Sequence, residues 1–284
     1  MLFTLDTLPQ AAGARLAVIG HPVAHSRSPA MHQPALDEEG RDCRYIALEV
    51  EPGEVAQAFR LMRELGFIGC NVTVPHKFDA LEACDEIDEI ARDFSAVNTV
   101  RFDADLTRGT NTDGYGFENA VAETLGLSLK DLSVLIVGAG GGAGSAIATH
   151  CARAGVRKLL LVNRTLSKIE TLADRLRERH PALIVETLGS DAIGEITADL
   201  IVNTSSLGLH EDDPSPLPIA ALKPHHAVFD TIYKPTALIR AAEEVGARHA
   251  SGHLMLLHQG IAAYRYWFPG SHPETAMRRG LGLT

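Results

Sequence analysis

The sequence lacks any apolar run that approaches the roughly 20 residues a membrane-spanning helix needs. Its first ten residues, MLFTLDTLPQ, also lack the basic region and long apolar stretch of a signal peptide. Positive charge is scarce, since 26 Lys and Arg stand against 36 Asp and Glu, a formal net charge of −10. This balance argues against capture of phosphate backbones or anionic membranes. We therefore expect a cytoplasmic protein that binds neither nucleic acid nor membrane.

Cysteine is also scarce, with four residues and no C-x-x-C pair. Their spacing excludes a zinc site of the usual pattern and a disulfide framework. Histidine is frequent, with 13 residues, but His21, His25 and His32 lie in a stretch without clustered carboxylate or cysteine partners. No metal site is expected.

The pattern of apolar residues predicts an α/β fold. At about 150 residues per domain, 284 residues predict two domains. Short β-branched runs alternate with longer helical patterns, which is typical of βαβ units that build parallel sheets covered on both faces. The predicted strands cover residues 16–20, 45–50, 67–72, 97–102, 134–137, 159–162, 183–186, 200–203 and 227–230.

The second half begins a new pattern of strand, glycine cluster, helix and strand, as in a doubly wound nucleotide-binding domain. Residues 252–268 predict one long helix that packs back on the first domain. The predicted organisation is an N-terminal α/β domain of residues 1–112, completed by residues 252–284. A Rossmann domain of residues 113–251 is inserted between these two segments.

The segment VLIVGAGGGAG joins a predicted strand to a predicted helix. Gly138, Gly140 and Ala143 occupy the G-x-G-x-x-G/A positions, where glycine allows the backbone to approach a pyrophosphate at a helix N-terminus. A flexible turn is the alternative reading of such a cluster. The predicted cofactor loop comprises Gly138, Ala139, Gly140, Gly141 and Gly142.

The end of the next strand indicates which dinucleotide binds. A carboxylate there contacts the adenosine ribose of NAD, whereas a basic residue accommodates the 2′-phosphate of NADP. Here the chain reads Asn163, Arg164, Thr165 and then Lys168, without a carboxylate. Arg164 offers a planar charged fork and Thr165 a hydroxyl and a helix N-cap. These residues predict NADP, and a solvated basic helix start is the alternative.

Three polar segments lie at predicted strand or loop ends, where α/β folds place ligands. Paired serines can bind a carboxylate, Asn and Thr can bind hydroxyls, and a Lys with an Asp can transfer a proton. Each also has a local explanation, as helix caps or as a solvated helix start. The segments are residues 25–29 (HSRSP), 71–77 (NVTVPHK) and 111–114 (NTDG).

Taken together, these segments resemble the shikimate/quinate dehydrogenase family nearly from end to end. The family patterns H-S-x-S-P, N-V-T-x-P-x-K, A-V-N-T, G-x-N-T-D-x-x-G-F, a glycine loop, N-R-T, D-x-x-Y-x-P and M-L-x-x-Q-G occur in that order. The resemblance implies a substrate domain interrupted by an NADP domain. It also implies reversible, NADP-dependent reduction of 3-dehydroshikimate to shikimate.

The resemblance also assigns roles to individual residues. Lys77 and Asp113 are the expected catalytic acid–base pair. Ser26 and Ser28, with Tyr233 nearby, are expected to bind the substrate carboxylate. The expected ligands of the ring hydroxyls are Asn71, Thr73, Asn98 and Gln259. In the cofactor site, the resemblance implies roles for Asn163, Arg164, Thr165 and Lys168. Near the nicotinamide end it implies Asn203, Thr204 and Ser205.

The sequence departs from the family pattern in places. Ser95 stands where the family usually has glycine, residues 203–209 differ from N-A-T-S-x-G-M, and the segment after Tyr233 is short. A quinate or dual-specificity dehydrogenase using NAD or NADP is therefore an alternative. A non-catalytic sensor is another, although Lys77 and Asp113 argue against it. A homodimer is left open.

Overall fold

The computed structural model describes residues 2–283. The chain forms two compact units. Unit 1 contains the chain up to Thr112 and from Leu256 onwards, and unit 2 contains Asp113–Met255. The return to unit 1 comes after the expected Gly252, because the side chains of residues 254 and 255 pack against the core of unit 2.

Residues 2–112 contain seven strands and four helices, with a 3₁₀ turn at Leu8–Gln10. In chain order they are β1 (Leu2–Phe3), β2 (Ala14–Gly20), α1 (Ser28–Glu38), β3 (Arg44–Glu49), α2 (Val55–Glu64), β4 (Gly69–Val72), α3 (Lys77–Ala83), β5 (Glu86–Ile87), α4 (Glu89–Phe94), β6 (Thr99–Phe102) and β7 (Thr107–Thr110).

Residues 113–283 contain six strands and six helices, with 3₁₀ turns at Ser190–Ala192 and Ile219–Ala221. In chain order they are α5 (Asp113–Leu125), β8 (Ser133–Val137), α6 (Gly142–Arg153), β9 (Lys158–Asn163), α7 (Ser167–Arg179), β10 (Ile184–Gly189), β11 (Leu200–Asn203), β12 (Ala227–Asp230), α8 (Ala237–Glu244), β13 (Arg248–Ser251), α9 (His253–Trp267) and α10 (Glu274–Leu281).

The sheet of unit 1 is mixed, which corrects the expectation that both sheets are parallel. Its strand order is β1-β3-β2-β4-β6-β7-β5, and β6 runs antiparallel to both β4 and β7. Only a tight connection separates β6 from β7, closed by the bond from Asp103 N to Leu106 O at 2.9 Å. Such a short connection joins antiparallel neighbours, because a parallel pair needs a long crossover.

Unit 2 has the predicted doubly wound sheet, and the α/β fold class is confirmed. All six strands are parallel in the order β10-β9-β8-β11-β12-β13. Numbered within the unit, this is the order 3-2-1-4-5-6, whose direction reverses between the first and fourth strands. The reversal lies between β8 and β11, where Val137 pairs with Asn203. Ligands of such folds bind at this point of the sheet.

Apolar clusters cover both faces of the unit 2 sheet, one including residues of α5, α6 and α7 and the other residues of α8. In unit 1 the apolar residues of β2, β3 and β4 pack with those of α2. The predicted terminal helix is present as α9, but α10 was not predicted. A Pro-Gly pair at residues 269 and 270 separates these two helices. Among residues 2–283, no helix is long and apolar enough to cross a bilayer.

Candidate functional site

Two buried asparagines form the centre of the polar array in unit 1. Asn71 lies on β4 with 5% of its surface exposed, and Asn98 directly precedes β6 with 2% exposed. The Nδ2 of Asn71 donates to the backbone oxygen of Asn98 at 3.3 Å and to Thr99 Oγ1 at 3.2 Å. The structure therefore brings these two predicted hydroxyl ligands together.

Asn98 is in turn bonded to Thr112, the last residue of the first segment of unit 1. Its Oδ1 accepts the N–H of Thr112 at 2.9 Å and the hydroxyl of Thr99 at 2.9 Å. Its Nδ2 donates to Thr112 Oγ1 at 3.1 Å. These bonds fix the backbone immediately before Asp113.

Thr73 directly follows β4 and is half-buried. A side chain on Gly20 would place its Cβ 2.5 Å from Thr73 Cγ2, a distance that real Cβ atoms do not tolerate. The absence of a side chain at Gly20 thus allows the strand to pass close to Thr73. The backbone N–H of Thr73 donates to Ile19 O at 2.9 Å.

The two predicted carboxylate ligands lie at the start of α1. Ser28 is its first residue and is buried, and Ser26 Oγ accepts the N–H of Ser28 at 3.3 Å. Ser26 therefore also serves the local function of satisfying an N–H of the first turn.

Lys77 is the first residue of α3 and is half-buried, and its backbone oxygen accepts the N–H of Val97 at 2.9 Å. Gln259 lies on α9 within unit 1, where its Nε2 donates to Leu256 O at 3.0 Å. Asp113 is buried at the first position of α5 in unit 2. Asp113 therefore lies within the helix, whereas the alternative explanation, a helix cap, would place it at the N-cap position before the helix.

The glycine loop of unit 2 has the geometry of a cradle for a dinucleotide. Gly138 has φ of +83°, a conformation that side chains rarely adopt. A Cβ on Gly140 would lie 3.0 Å from Lys168 Cβ, and one on Gly144 would lie 2.5 Å from Gly138 O. Gly141 and Gly142 begin α6, so its N-terminal N–H groups follow the loop. An added side chain at Gly140 or Gly144 would clash with neighbouring protein atoms, so this close packing of the loop requires glycine.

The predicted phosphate-binding residues follow β9. Arg164, Thr165 and Lys168 are exposed, and within residues 2–283 no carboxylate forms an ion pair with either cation. Asn163 Nδ2 donates to Thr165 O at 2.9 Å. The expected N-cap at Thr165 is wrong, because α7 begins at Ser167 after a cap residue, Leu166, without a side-chain bond.

The three residues expected near the nicotinamide lie at the end of β11, beside the glycine loop. Thr204 Oγ1 donates to Val137 O at 2.7 Å, and Ser205 N donates to Asn203 Oδ1 at 3.0 Å. A Cβ on Gly138 would lie 2.7 Å from the N of Ser205. The structure thus brings these residues together with the loop at the point where the strand order reverses.

Asp230 is a buried residue of this region that sequence reasoning did not select. Its carboxylate accepts from Asn203 Nδ2 at 3.1 Å, Ile232 N at 3.0 Å and Thr236 Oγ1 at 2.7 Å, and burial raises its pKa. It is the first residue of D-x-x-Y, a signal that could have identified it. Tyr233, the last residue of that motif, is 42% exposed.

Tyr45 and His32 were also missed. Their rings stack in unit 1 with centroids 4.5 Å apart and planes at 2°. The Tyr45 hydroxyl donates to Asn71 Oδ1 at 2.7 Å. Burial lowers the pKa of His32 to about 3, so His32 is neutral at physiological pH. No sequence signal distinguishes Tyr45 from an ordinary core aromatic residue.

Comparison with known proteins shows similarity over both units. The profile of the shikimate dehydrogenase substrate binding domain matches residues 18–100, and that of shikimate / quinate 5-dehydrogenase matches residues 120–202. The shikimate dehydrogenase (NADP(+)) of Rubrobacter xylanophilus is 41% identical over 271 residues, which is 94% of each chain.

Solved structures agree. A shikimate dehydrogenase crystallised in complex with NADP+ has a TM-score of 0.88 at 33% identity and 95% coverage of both chains. The quinate dehydrogenase of Corynebacterium glutamicum, in complex with NAD, has a TM-score of 0.86 at 30% identity, covering 94% of this chain and 98% of that one. The family predicted from the sequence motifs is confirmed: the chain belongs to the shikimate/quinate dehydrogenase family.

Proposed function

We propose that the chain catalyses the NADP-dependent, reversible reduction of 3-dehydroshikimate to shikimate in aromatic amino acid (chorismate) biosynthesis. The observation that carries this proposal is the buried array of Ser28, Asn71 and Asn98 in a member of this family. A serine hydroxyl suits a carboxylate, and side-chain amides suit ring hydroxyls. Such an array fits a small polyhydroxylated carboxylic acid.

The residues of unit 2 fit NADP. The glycine loop at residues 138–142 would hold the pyrophosphate, and Arg164 with Lys168 would hold the 2′-phosphate. Asn163 and Thr165 would line the adenosine end, and Asn203, Thr204 and Ser205 the nicotinamide end. When bound, the reduced cofactor supplies the hydride for the carbonyl carbon, and the oxidised form accepts it in the reverse direction.

Lys77 and Asp113 provide the proton chemistry. Reduction develops negative charge on the substrate carbonyl oxygen, and the ammonium of Lys77 stabilises this charge and donates the proton. In the oxidation direction, neutral Lys77 accepts the hydroxyl proton. Asp113 is the carboxylate of the pair and accepts a hydrogen bond from the substrate. Positioned acid–base catalysis of this kind contributes about 10²–10⁴-fold in rate.

The remaining unit 1 residues bind the substrate. Ser26 and Ser28 donate to its carboxylate, assisted by Tyr233 of unit 2. Thr73 and Gln259 join the two asparagines as ligands of the ring hydroxyls. This division of roles explains the paired small serines, which resemble the shikimate-specific pattern more than the quinate pattern.

A quinate or dual shikimate/quinate dehydrogenase using NAD or NADP is the second candidate. The similarity to a quinate dehydrogenase solved with NAD favours it. The deciding experiment measures rates with shikimate and quinate, each with NADP and NAD, by absorbance at the nicotinamide band. We expect shikimate with NADP to be fastest. Faster turnover of quinate with NAD would establish the second candidate, and no turnover in any combination would indicate a binding or sensing protein.

A cytoplasmic location and a homodimeric assembly are parts of the same proposal. Cell fractionation would test the location. Analytical ultracentrifugation of the purified full chain would test the assembly.

A further inference from the structure

We propose that Tyr45 is a positioning residue for substrate recognition: its hydroxyl binds the amide oxygen of Asn71, whose N–H groups are bonded to Asn98 and Thr99, and so leaves Asn71 a single acceptor site for the substrate. This inference rests on the proposed function, in which Asn71 binds a ring hydroxyl. If the inference holds, the substrate hydroxyl that Asn71 binds must donate a hydrogen bond to the amide oxygen of Asn71. Tyr45 itself is not expected to touch the substrate.

The contacts of Asn71 leave one orientation of its amide. One end faces the backbone oxygen of Asn98 at 3.3 Å. A carbonyl oxygen only accepts, so this end must be the NH₂ group. The same nitrogen donates to the hydroxyl of Thr99 at 3.2 Å, and that hydroxyl donates onward to Asn98 Oδ1 at 2.9 Å. The opposite end, Oδ1, therefore faces Tyr45.

The remaining hydrogen-bonding capacity of Asn71 follows from this orientation. An amide nitrogen has two protons, and both point to protein acceptors. An amide oxygen accepts two hydrogen bonds, and within residues 2–283 Tyr45 alone donates to this one, at 2.7 Å. A ligand of Asn71 can therefore bind only through the second acceptor site of Oδ1. A donating hydroxyl satisfies it, whereas an ether or carbonyl oxygen does not.

The packing around Tyr45 holds its hydroxyl in place against the amide oxygen of Asn71. Tyr45 lies on β3 with 4% of its surface exposed, and its ring is stacked on His32 at 4.5 Å and tilted against Trp267 at 6.3 Å. Burial raises the pKa of Tyr45 well above its usual value, so the phenol keeps its proton and remains a donor.

The test compares Tyr45→Phe with a matched control, Tyr264→Phe. Tyr264 is also a buried tyrosine of unit 1 with its ring near His32, at 6.2 Å. Its hydroxyl, however, bonds Ala35 O and Glu39 rather than Asn71. Each substitution removes one buried hydroxyl, but only Tyr45→Phe removes the hydrogen bond to Asn71. Comparing the two variants therefore distinguishes loss of this bond from a general effect on packing.

We expect Tyr45→Phe to raise the KM for shikimate about tenfold, equivalent to about 1.4 kcal/mol. Its kcat should change less than about threefold, because no group that moves a proton or hydride is altered. A shikimate titration without cofactor, followed by NMR, should show a matching rise in Kd. The side-chain amide resonances of Asn71 should shift in Tyr45→Phe and stay in place in Tyr264→Phe. In an Asn71→Ala background, Tyr45→Phe should add less than about twofold to the KM.

The inference is overturned if Tyr45→Phe retains the wild-type KM, Kd and Asn71 resonances. It is also overturned if Tyr264→Phe raises the KM as much, since the effect would then be one of packing. Failure of the proposed function is separate: wild-type protein would be inactive on shikimate, while the Asn71 resonances would still report whether Tyr45 fixes the amide.

Discussion

The side chain of Asn98 is hydrogen-bonded to both the backbone and the hydroxyl of Thr112: its Oδ1 accepts the N–H at 2.9 Å, and its Nδ2 donates to Oγ1 at 3.1 Å. Thr112 immediately precedes Asp113, the proposed catalytic carboxylate. A residue proposed to bind substrate thus also fixes the backbone next to a residue proposed to take part in the chemistry.

This relationship predicts that Asn98→Ala lowers both stability and activity. The substitution leaves the buried N–H of Thr112 without its acceptor, which costs about 1–3 kcal/mol in the free energy of unfolding. Urea unfolding of the full chain measures this loss. Asn119→Ala is the control, because the side chain of Asn119 donates to a backbone oxygen, Tyr115 O, near the surface of α5, and its removal leaves no buried N–H without an acceptor. If both substitutions lowered the free energy of unfolding by the same small amount, the hydrogen bonds of Asn98 would contribute little to stability.

Lys77→Ala should lower kcat by about 10²–10⁴-fold, because it removes the group that donates and accepts the substrate proton. The KM for shikimate should change much less, since other residues of unit 1 bind the ring. Steady-state kinetics with NADP measures both parameters. Lys130→Ala removes an exposed lysine of unit 2 and should leave both unchanged. A folded Lys77→Ala protein with wild-type kcat would refute the proposed role.

The sequence predicts best where local chemistry decides the structure. The glycine loop could be placed because a tight turn between a strand and a helix needs residues that tolerate positive φ, as Gly138 does. Arg164 and Lys168 could be placed because they follow a recognisable strand. The doubly wound sheet of unit 2 could be predicted from the alternation of strands and helices, although its last strand, β13, was not predicted.

The features that the sequence did not predict depend on contacts between distant segments. The antiparallel pairing of β6 depends on its partners β4 and β7, which its own residues do not reveal. The bond from Tyr45 to Asn71 joins two strands that are separated by β2 in the sheet. A buried tyrosine in a strand has the same sequence pattern whether its hydroxyl bonds a site residue or another core group.

We expect the wild-type protein to bind NADP about a hundredfold more tightly than NAD, a difference of about 2.7 kcal/mol. Arg164→Ala should abolish most of this preference. Affinity for NAD should hardly change, because NAD has no phosphate at that position. Titrating both cofactors into wild type and variant measures the effect. Arg157→Ala is the control, since Arg157 lies at the opposite end of β9 and pairs with Asp199 at 3.6 Å. Equal wild-type affinities for the two cofactors would show that Arg164 is only a surface charge.

His32 should make the protein less stable as the pH falls. Burial lowers the pKa of His32 from 6.5 to about 3, so between these values the unfolded chain binds the proton and the folded chain does not. The free energy of unfolding should therefore fall by about 1.4 kcal/mol per pH unit below pH 6.5. His32→Phe keeps an aromatic ring against Tyr45 but has no imidazole to protonate. In this variant the free energy of unfolding should therefore not show the fall with pH that is due to His32. Urea unfolding at pH 7, 6 and 5 measures it, with exposed His249→Phe as the control.

Ser95→Gly should raise the free energy of unfolding by about 0.5–1 kcal/mol. Ser95 ends α4 with φ of +53°, a left-handed conformation that costs a residue with a side chain about 1–2 kcal/mol relative to glycine. The greater freedom of glycine in the unfolded chain offsets about 0.4–1 kcal/mol of this gain. The family's usual glycine at this position, noted from the sequence, thus has a backbone reason.

The matched control for Ser95→Gly is Ser128→Gly, at an exposed residue that has no positive φ. There the substitution only adds freedom to the unfolded chain, so stability should fall by about 0.4–1 kcal/mol. Opposite signs at the two positions, measured by urea unfolding, would attribute the gain to the backbone conformation of Ser95. A loss at both would mean that contacts of the Ser95 side chain outweigh the cost of its left-handed backbone. Ser95→Val should lower stability more than Ser128→Gly does, because a β-branched side chain tolerates positive φ least.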